Sequence, residues 1–294
     1  MYVLACPCIH DPELRARGIT RESDLHAFER ALARCRDFGI DVVFLPCPET
    51  LFLGRDREPG TFLERLDRKD FFCLLEKLER DVRDIIGTRG PPLCLVGVNS
   101  SPTCGVDTTY HGEDVTGPSR RQGRGVFLAR FPDIPAIDVV DFSRYRIYLA
   151  APLFSAAERR FNVYIRDLLE EHLFSVFLPQ EAGDTGPHRD RGSQKEIFSR
   201  CCDEISRSDI VVAVIDGADA DSGTSWEMGF AYARGIPVIA LRTDFRRVGA
   251  HECVNLMLEQ SSRVVTNEEG LLDEIHSPYR LPVSVETESA KKGG

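Results

Sequence analysis

The chain has 294 residues, 42% of them hydrophobic and 29% charged, a balance that excludes a disordered or fibrous chain and suits one large or two ordinary domains. A net charge of −10 gives no general attraction to nucleic acid or to an anionic membrane, so neither is expected as a partner. No apolar run reaches membrane-spanning length, and the opening MYVLACPCIHDPE lacks the basic start of a secretory signal, so a cytoplasmic location is the expectation.

In chain order, YVLAC predicts a buried strand, followed by a helix over about 22–38 that ends before Gly39. DVVFLPC is the next strand, then a long helix over 68–86, then the strand LCLVGVN. Residues 100–125, rich in Gly, Thr, Asp and Arg, predict a functional loop, and AIDVVDF closes this first run. A second run opens with the strand RIYLAAP and a helix over 155–171, whose Ser155 and Glu158 form a capping box. SVFLP, a polar loop over 181–192, a helix over 193–206 and the strand DIVVAVID follow. The loop DGADADSGTSWE then runs into a short helix, before PVIALRT and RVVTNEEGLLDEI. Continuous apolar strands alternating with helices indicate parallel sheets covered on both faces. The predicted fold class is therefore α/β, with two consecutive Rossmann/flavodoxin-like three-layer domains over 1–142 and 143–280 and a disordered tail over 281–294.

In open α/β sheets ligands bind beyond the carboxyl ends of the strands. In the second run two segments reach that edge: AAPLFS, with Ala150 and Phe154, and DSGTSWE, with Gly223 and Trp226. Glu227 stands close to the start of its helix, where the helix dipole is expected to stabilise a carboxylate and lower its pKa. An ionised carboxylate at a concave edge suits attack on an anomeric carbon through an oxocarbenium-like transition state. Asp216 and Asp219 are expected as turn residues at the strand end.

Three segments, IYLAAPLFSAAE, SRSDIVVAVIDGADADSGTSWEMGFAYARGIPVIALRTD and NLMLEQSSRVV, together resemble the nucleoside 2-deoxyribosyltransferase family over about 146–275. The resemblance implies that Glu227 is the nucleophile, that Tyr148 orients it by a hydrogen bond, and that Asp221 contacts the 5′ side of the sugar. Similar enzymes of nucleoside 5′-monophosphates carry Ser where this chain has Asp221, so the resemblance favours a free nucleoside. Where the family places a base-binding Asp, this chain has Cys201, and Asp203 is the candidate substitute. The resemblance also implies a homo-oligomer, with Asn255 as the residue offered to a neighbouring subunit's site, and no cofactor for glycosyl transfer.

Ten cysteines are many for such a chain, and in a reducing compartment metal, cluster or catalytic roles gain weight over disulfides. Cys35 and Cys73 lie in helical patterns and Cys94 in a strand, where each is expected as a small buried hydrophobe. Cys6, Cys47 and Cys104 instead stand at the ends of predicted strands, which converge on one sheet edge. Three thiolates without a fourth ligand suit a 4Fe–4S cluster with one open iron; zinc with His10 or His111 as the fourth ligand is the alternative. LACPCIHD, PCPE and VNSSPTCGVDTTYHG, followed by GRGVF, resemble the 2-thiouracil desulfurase family over about 2–138. That resemblance implies a cluster held by Cys6, Cys47 and Cys104, with Glu49 as an acid–base group. The family's Arg-Tyr-Asp-Gly after the first cysteine is absent, and Cys8 is a second thiol beside Cys6.

The two halves together predict an enzyme of modified-nucleoside salvage, in which an N-glycosidic bond is cleaved or exchanged and a thiolated base loses its sulfur. Plain N-glycoside hydrolysis is the alternative enzyme, and a nucleoside-binding sensor with a zinc-bound first domain is the non-catalytic alternative.

Overall fold

The computed structural model describes residues 1–112, 120–182, 191–246 and 254–279. The predicted tail, most of the polar loop 181–192 and part of the loop 100–125 therefore lie outside the described residues. The chain divides into two compact units, one over Met1–Arg144 and one over Tyr145–Pro278.

The first unit carries β1 (Tyr2–Ala5), α1 (Glu22–Asp37), β2 (Asp41–Phe44), α2 (Pro48–Leu53), α3 (Phe62–Arg65), α4 (Lys69–Arg89) and β3 (Leu95–Gly97). A hairpin of β4 (Thr108–Tyr110) and β5 (Arg120–Gln122) follows, then β6 (Ala136–Asp138) and α5 (Val139–Phe142). Its main sheet is parallel throughout, in the order β2-β1-β3-β6. The helix α4 forms because Phe71, Leu75, Leu78 and Val82 fall on one stripe, and all four are buried. Cys73 sits two residues past Phe71, on the opposite side of that helix, and is exposed, contrary to the expectation of a core thiol. Cys35 and Cys94 are buried as expected. In α1 the buried Arg34 donates to the Phe142 carbonyl at 3.0 Å and lies over the Phe142 ring, tying α1 to α5.

The second unit carries β7 (Arg146–Ala150), α6 (Ala156–Glu171), β8 (Ser175–Phe177), α7 (Arg191–Arg207), β9 (Ile210–Val214) and α8 (Ser222–Ala233). It continues with β10 (Val238–Leu241), α9 (Leu256–Ser261), β11 (Arg263–Val265) and α10 (Glu268–Tyr279). Its five strands are parallel in the order β8-β7-β9-β10-β11. The expected capping box opens α6, with the Ser155 and Glu158 side chains each accepting from the other's backbone N–H. Asp209 fixes the start of β7 by accepting from the Tyr145 and Arg146 amides at 2.9 and 3.0 Å. All five residues of β9 are buried, as a strand covered on both faces requires.

In both sheets the chain begins in the middle, steps outward once, then crosses back to build the other side. This is the flavodoxin-like order, whose crevice opens where the direction of winding reverses. The reversals lie between β1 and β3 in the first unit and between β7 and β9 in the second.

Candidate active site

In the second unit the winding reversal brings Tyr148, from the middle of β7, against Glu227 on α8. Tyr148 is buried, stacks on Phe177 of β8 with centroids 5.5 Å apart, and donates its hydroxyl to Glu227 Oε1 at 2.5 Å. Asp221 is the N-cap of α8 and accepts from the Thr224 amide at 3.0 Å, while the Asp221 carbonyl receives the Ser225 hydroxyl at 2.8 Å. The loop leading into α8 is clamped to the one after β10. Buried Arg242 donates to the Ile215 and Gly217 carbonyls at 2.8 and 3.2 Å. Asp216 accepts from the Thr243 amide and hydroxyl, both at 2.6 Å, and Asp219 accepts from the next amide, so both act as the expected turn residues.

The expectation of a lowered pKa at Glu227 is corrected by the structure. Burial, with a smaller push from the nearby Asp221 carboxylate, raises it to about 7 against the pull of the Tyr148 hydrogen bond. Glu227 is the sixth residue of α8, past the first turn in which the helix dipole acts, so desolvation prevails. The Tyr148 phenol is pushed well above its usual range by burial first and by the Glu227 carboxylate second, so it stays a donor.

The other predicted positions are placed unevenly. Ala150 is buried at the end of β7, whereas Phe154 is 75% exposed in the loop after it. Trp226 is 47% exposed, stacked on Phe230 at 5.1 Å and tilted against Phe198 at 5.3 Å. Gly223 lies in the first turn of α8, where an added Cβ would come 3.0 Å from Asp221 Oδ2. Asn255 is exposed and caps α9, accepting from the Met257 amide at 2.9 Å. Asp203 is exposed on α7, on the face with Lys195, Arg200 and Arg207. Cys201, two residues earlier, is half-buried and packs against the core that includes Tyr148.

In the first unit the three predicted thiols meet. Cys6, Cys8, Cys47 and Cys104 line one cavity of about 620 Å³, together with Glu49 and Arg57. The neighbouring Cys104 thiol and burial push the Cys6 pKa well up, and burial raises Cys8 and Cys47 also. Thr50 donates its hydroxyl to the Cys47 sulfur at 3.1 Å. Glu49 accepts from Thr103 Oγ1 at 2.6 Å, Ser101 Oγ at 3.3 Å and the buried Arg57 at 3.2 Å. Glycine makes room for the cysteine loop: a Cβ on Gly125 would come 2.4 Å from the Thr103 carbonyl carbon. Asn99, which sequence reasoning missed, organises that loop by accepting from the Val106, Asp107 and Thr108 amides at 3.0, 2.9 and 3.3 Å.

Neither His10 nor His111 lines the cavity; His10 stacks on Phe44 and His111 packs against Phe62. Among the described residues no group of three or more His, Cys, Asp or Glu side chains is placed to hold a metal ion. A cluster takes its ligands at separate corners, and four convergent soft thiols, none in a disulfide, are donors of the chemistry it needs.

No curated protein matches the chain. Among solved structures, a conserved protein from Enterococcus faecalis is 34% identical, with 46% of this chain and 98% of that one covered and a TM-score of 0.38. The 2-deoxyribosyltransferase of Bacillus psychrosaccharolyticus is 26% identical over 42% of this chain and 86% of its own, with a TM-score of 0.37. A CMP N-glycosidase from Clostridium botulinum is 20% identical over 45% and 98%, with a TM-score of 0.31. Residues 147–272, which include Tyr148, Cys201, Asp221 and Glu227, match the family described as nucleoside 2-deoxyribosyltransferase.

Proposed function

We propose that the second unit cleaves or exchanges the N-glycosidic bond of a nucleoside through a covalent glycosyl–Glu227 intermediate. The observation that carries this reading is the 2.5 Å hydrogen bond from Tyr148 to Glu227, at the winding reversal of the sheet and inside the family match. A Glu227 carboxylate oxygen bonds to the anomeric carbon as the glycosidic bond breaks, and that bond's electron pair leaves with the base nitrogen, which takes a proton. A second base, or water, then displaces Glu227 from the anomeric carbon and loses a proton. Tyr148 holds one carboxylate oxygen so that the other can face the sugar. The Asp221 carboxylate makes a phosphate unwelcome and favours a free nucleoside. Asn255, exposed at the start of α9, is assigned to a neighbouring copy's site in a homo-oligomer.

The test is base release from a panel of deoxynucleosides and thionucleosides, repeated with a second base supplied. Exchanged nucleoside identifies transfer, and free sugar alone identifies hydrolysis. Glu227→Ala abolishes turnover while leaving nucleoside binding measurable; unchanged turnover removes Glu227 from its role.

The first unit supports a second proposal, carried by four thiols converging on one cavity. Cys6, Cys47 and Cys104 would hold a 4Fe–4S cluster, whose open iron supplies a binding position for the sulfur of a thiolated base. Glu49 lies in the same cavity and accepts hydrogen bonds from Thr103, Ser101 and Arg57, which orient it as a proton-transfer group toward a bound base. Thiobase desulfuration would then complement glycosidic-bond chemistry in the salvage of modified nucleosides. Protein purified without oxygen is expected to be brown, with iron and acid-labile sulfide; a colourless, zinc-loaded protein would refute the cluster.

A further inference from the structure

The cavity of the first unit holds one thiol more than the proposed cluster uses. Cys6, Cys47 and Cys104 are each tied to the fold around it. Cys6 is fully buried at the end of β1, and its amide donates to the Val96 carbonyl at 3.0 Å. The Cys104 amide donates to Ser101 Oγ at 3.1 Å, and its carbonyl accepts from the Val98 amide at 2.9 Å. The Cys47 carbonyl accepts from the Leu51 amide at 3.0 Å, besides the Thr50 hydroxyl on its sulfur. Cys8 lies instead in a short 3-10 turn over Pro7–Ile9, half-buried and lining the same cavity. Among the described residues its sulfur has neither a disulfide nor a hydrogen bond. Pro7 opens that turn, and the Ile9 and His10 amides close onto the Cys6 and Pro7 carbonyls at 3.1 and 3.0 Å, so a set backbone carries the thiol.

We propose that Cys8 is a fourth ligand of the cluster, filling the position that Cys6, Cys47 and Cys104 leave open until a sulfur-bearing ligand takes it. This role rests on reading the first unit as a cluster site. A cluster of four irons offers four corners, and the cavity supplies four soft donors. The carboxylates lining the same cavity are already committed: Asp24 to Arg15 at 2.7 Å, Glu49 to Arg57 at 3.2 Å and Glu58 to Arg17 at 2.8 Å. They are also harder donors than a thiolate and suit iron–sulfur chemistry less well. Exchange at this position consumes no oxidant or reductant. The bond to the Cys8 sulfur breaks, that sulfur leaves with the electron pair and takes up the proton the incoming thiol gives up, and a bond to the incoming sulfur forms. Cys8 is suited to leave because its turn lies outside the sheet and the long helices, whereas backbone hydrogen bonds anchor the other three. While in place it covers the corner most open to loss of iron.

The experiment takes the full chain purified without oxygen, counts its iron and records its reduced spectrum by electron paramagnetic resonance. Cys8→Ala is expected to keep its iron, to give a reduced spectrum different from wild type, and to lose iron several times faster on controlled exposure to oxygen. That loss is read as the growth of a three-iron signal. Mercaptoethanol, which brings one thiol, should slow the loss and move the Cys8→Ala spectrum toward wild type. Cys8→Ser should keep its iron as well, with a spectrum unlike either, because a hydroxyl is a harder ligand. Cys73→Ala, which removes an exposed thiol on α4, should match wild type throughout. A Cys8→Ala protein with the wild-type spectrum and the wild-type rate of iron loss overturns the proposal. So does absence of iron from Cys8→Ala and Cys8→Ser alike, since Cys8 would then be an indispensable ligand and not an exchangeable fourth. Both results leave the cluster reading standing, whereas colourless wild-type protein refutes that reading and this role together.

Discussion

Glu227 is held between two opposed forces, burial that favours the neutral acid and a Tyr148 hydrogen bond that favours the carboxylate, and burial prevails. With a pKa of about 7, the nucleophilic form is lost as pH falls through neutrality, so turnover is expected to decline below about pH 7. Tyr148→Phe removes the one favourable contact and should push that acid limb higher, read from the pH dependence of kcat/KM. The same shift has a stability cost of opposite sign to an ordinary paired carboxylate. The folded state binds the proton more tightly than the unfolded chain, so stability falls as pH rises from about 4.5 to about 7. Above that window the ionised glutamate costs on the order of 3 kcal/mol. Glu227→Gln is therefore expected to melt several degrees higher than wild type at pH 8 and no higher at pH 4, by thermal denaturation. The pairing of Glu227 with Tyr148 was legible in the sequence through the family resemblance of their segments, since a loop running into a helix at a strand end is by itself a common pattern. The pKa of Glu227 was not, because burial by β7 and α7 is a property of the packed sheet. The phase of α7 was equally hidden: a rotation of a residue or two decides whether Cys201 or Asp203 packs against the core that holds Tyr148, and helical periodicity alone is too coarse to choose.

At the scale of elements, the two winding reversals do the positioning. Strands written as unbroken apolar runs, such as IVVAV in β9, announced a parallel sheet, and its edge followed from that. The hairpin of β4 and β5 gave no such signal. TTY and RRQ show no clear apolar alternation, and the turn that brings Cys104 into the cavity depends on Asn99 accepting from three amides. Asn99→Ala should leave those amides unpaired, loosening the loop and costing about 1–3 kcal/mol. Hydrogen exchange at Val106 and Thr108 reads that effect locally. Gly125→Ala sets a Cβ against the backbone of Thr103 and should be more damaging, because backbone cannot step aside as a side chain can. Both changes are expected to reduce whatever the thiols hold, and neither should alter the melting of the second unit. In α6, by contrast, Ser155→Ala removes only a cap and should cost about 1 kcal/mol without changing the pH profile of Glu227.

For the whole molecule, the chain repeats one sheet order with different side chains at the edge, thiols at the first winding reversal and carboxylates at the second. No helix among the described residues is long and apolar enough to cross a membrane. Asp221→Ser tests the charge logic of the second site: it should raise kcat/KM for a nucleoside 5′-monophosphate relative to the free nucleoside, since the repelling carboxylate is gone. The same variant should bring the Glu227 midpoint down, because Asp221 is one of the groups that raise it.

Covalent glycosylation of Glu227 is open to direct observation. Wild-type protein mixed with a turned-over deoxynucleoside, quenched in acid and digested, should give a peptide containing Glu227 that carries one deoxyribosyl group by mass spectrometry. Glu227→Gln should give none. Steady base release with no adduct on that peptide, or an adduct on another residue, would contradict the account.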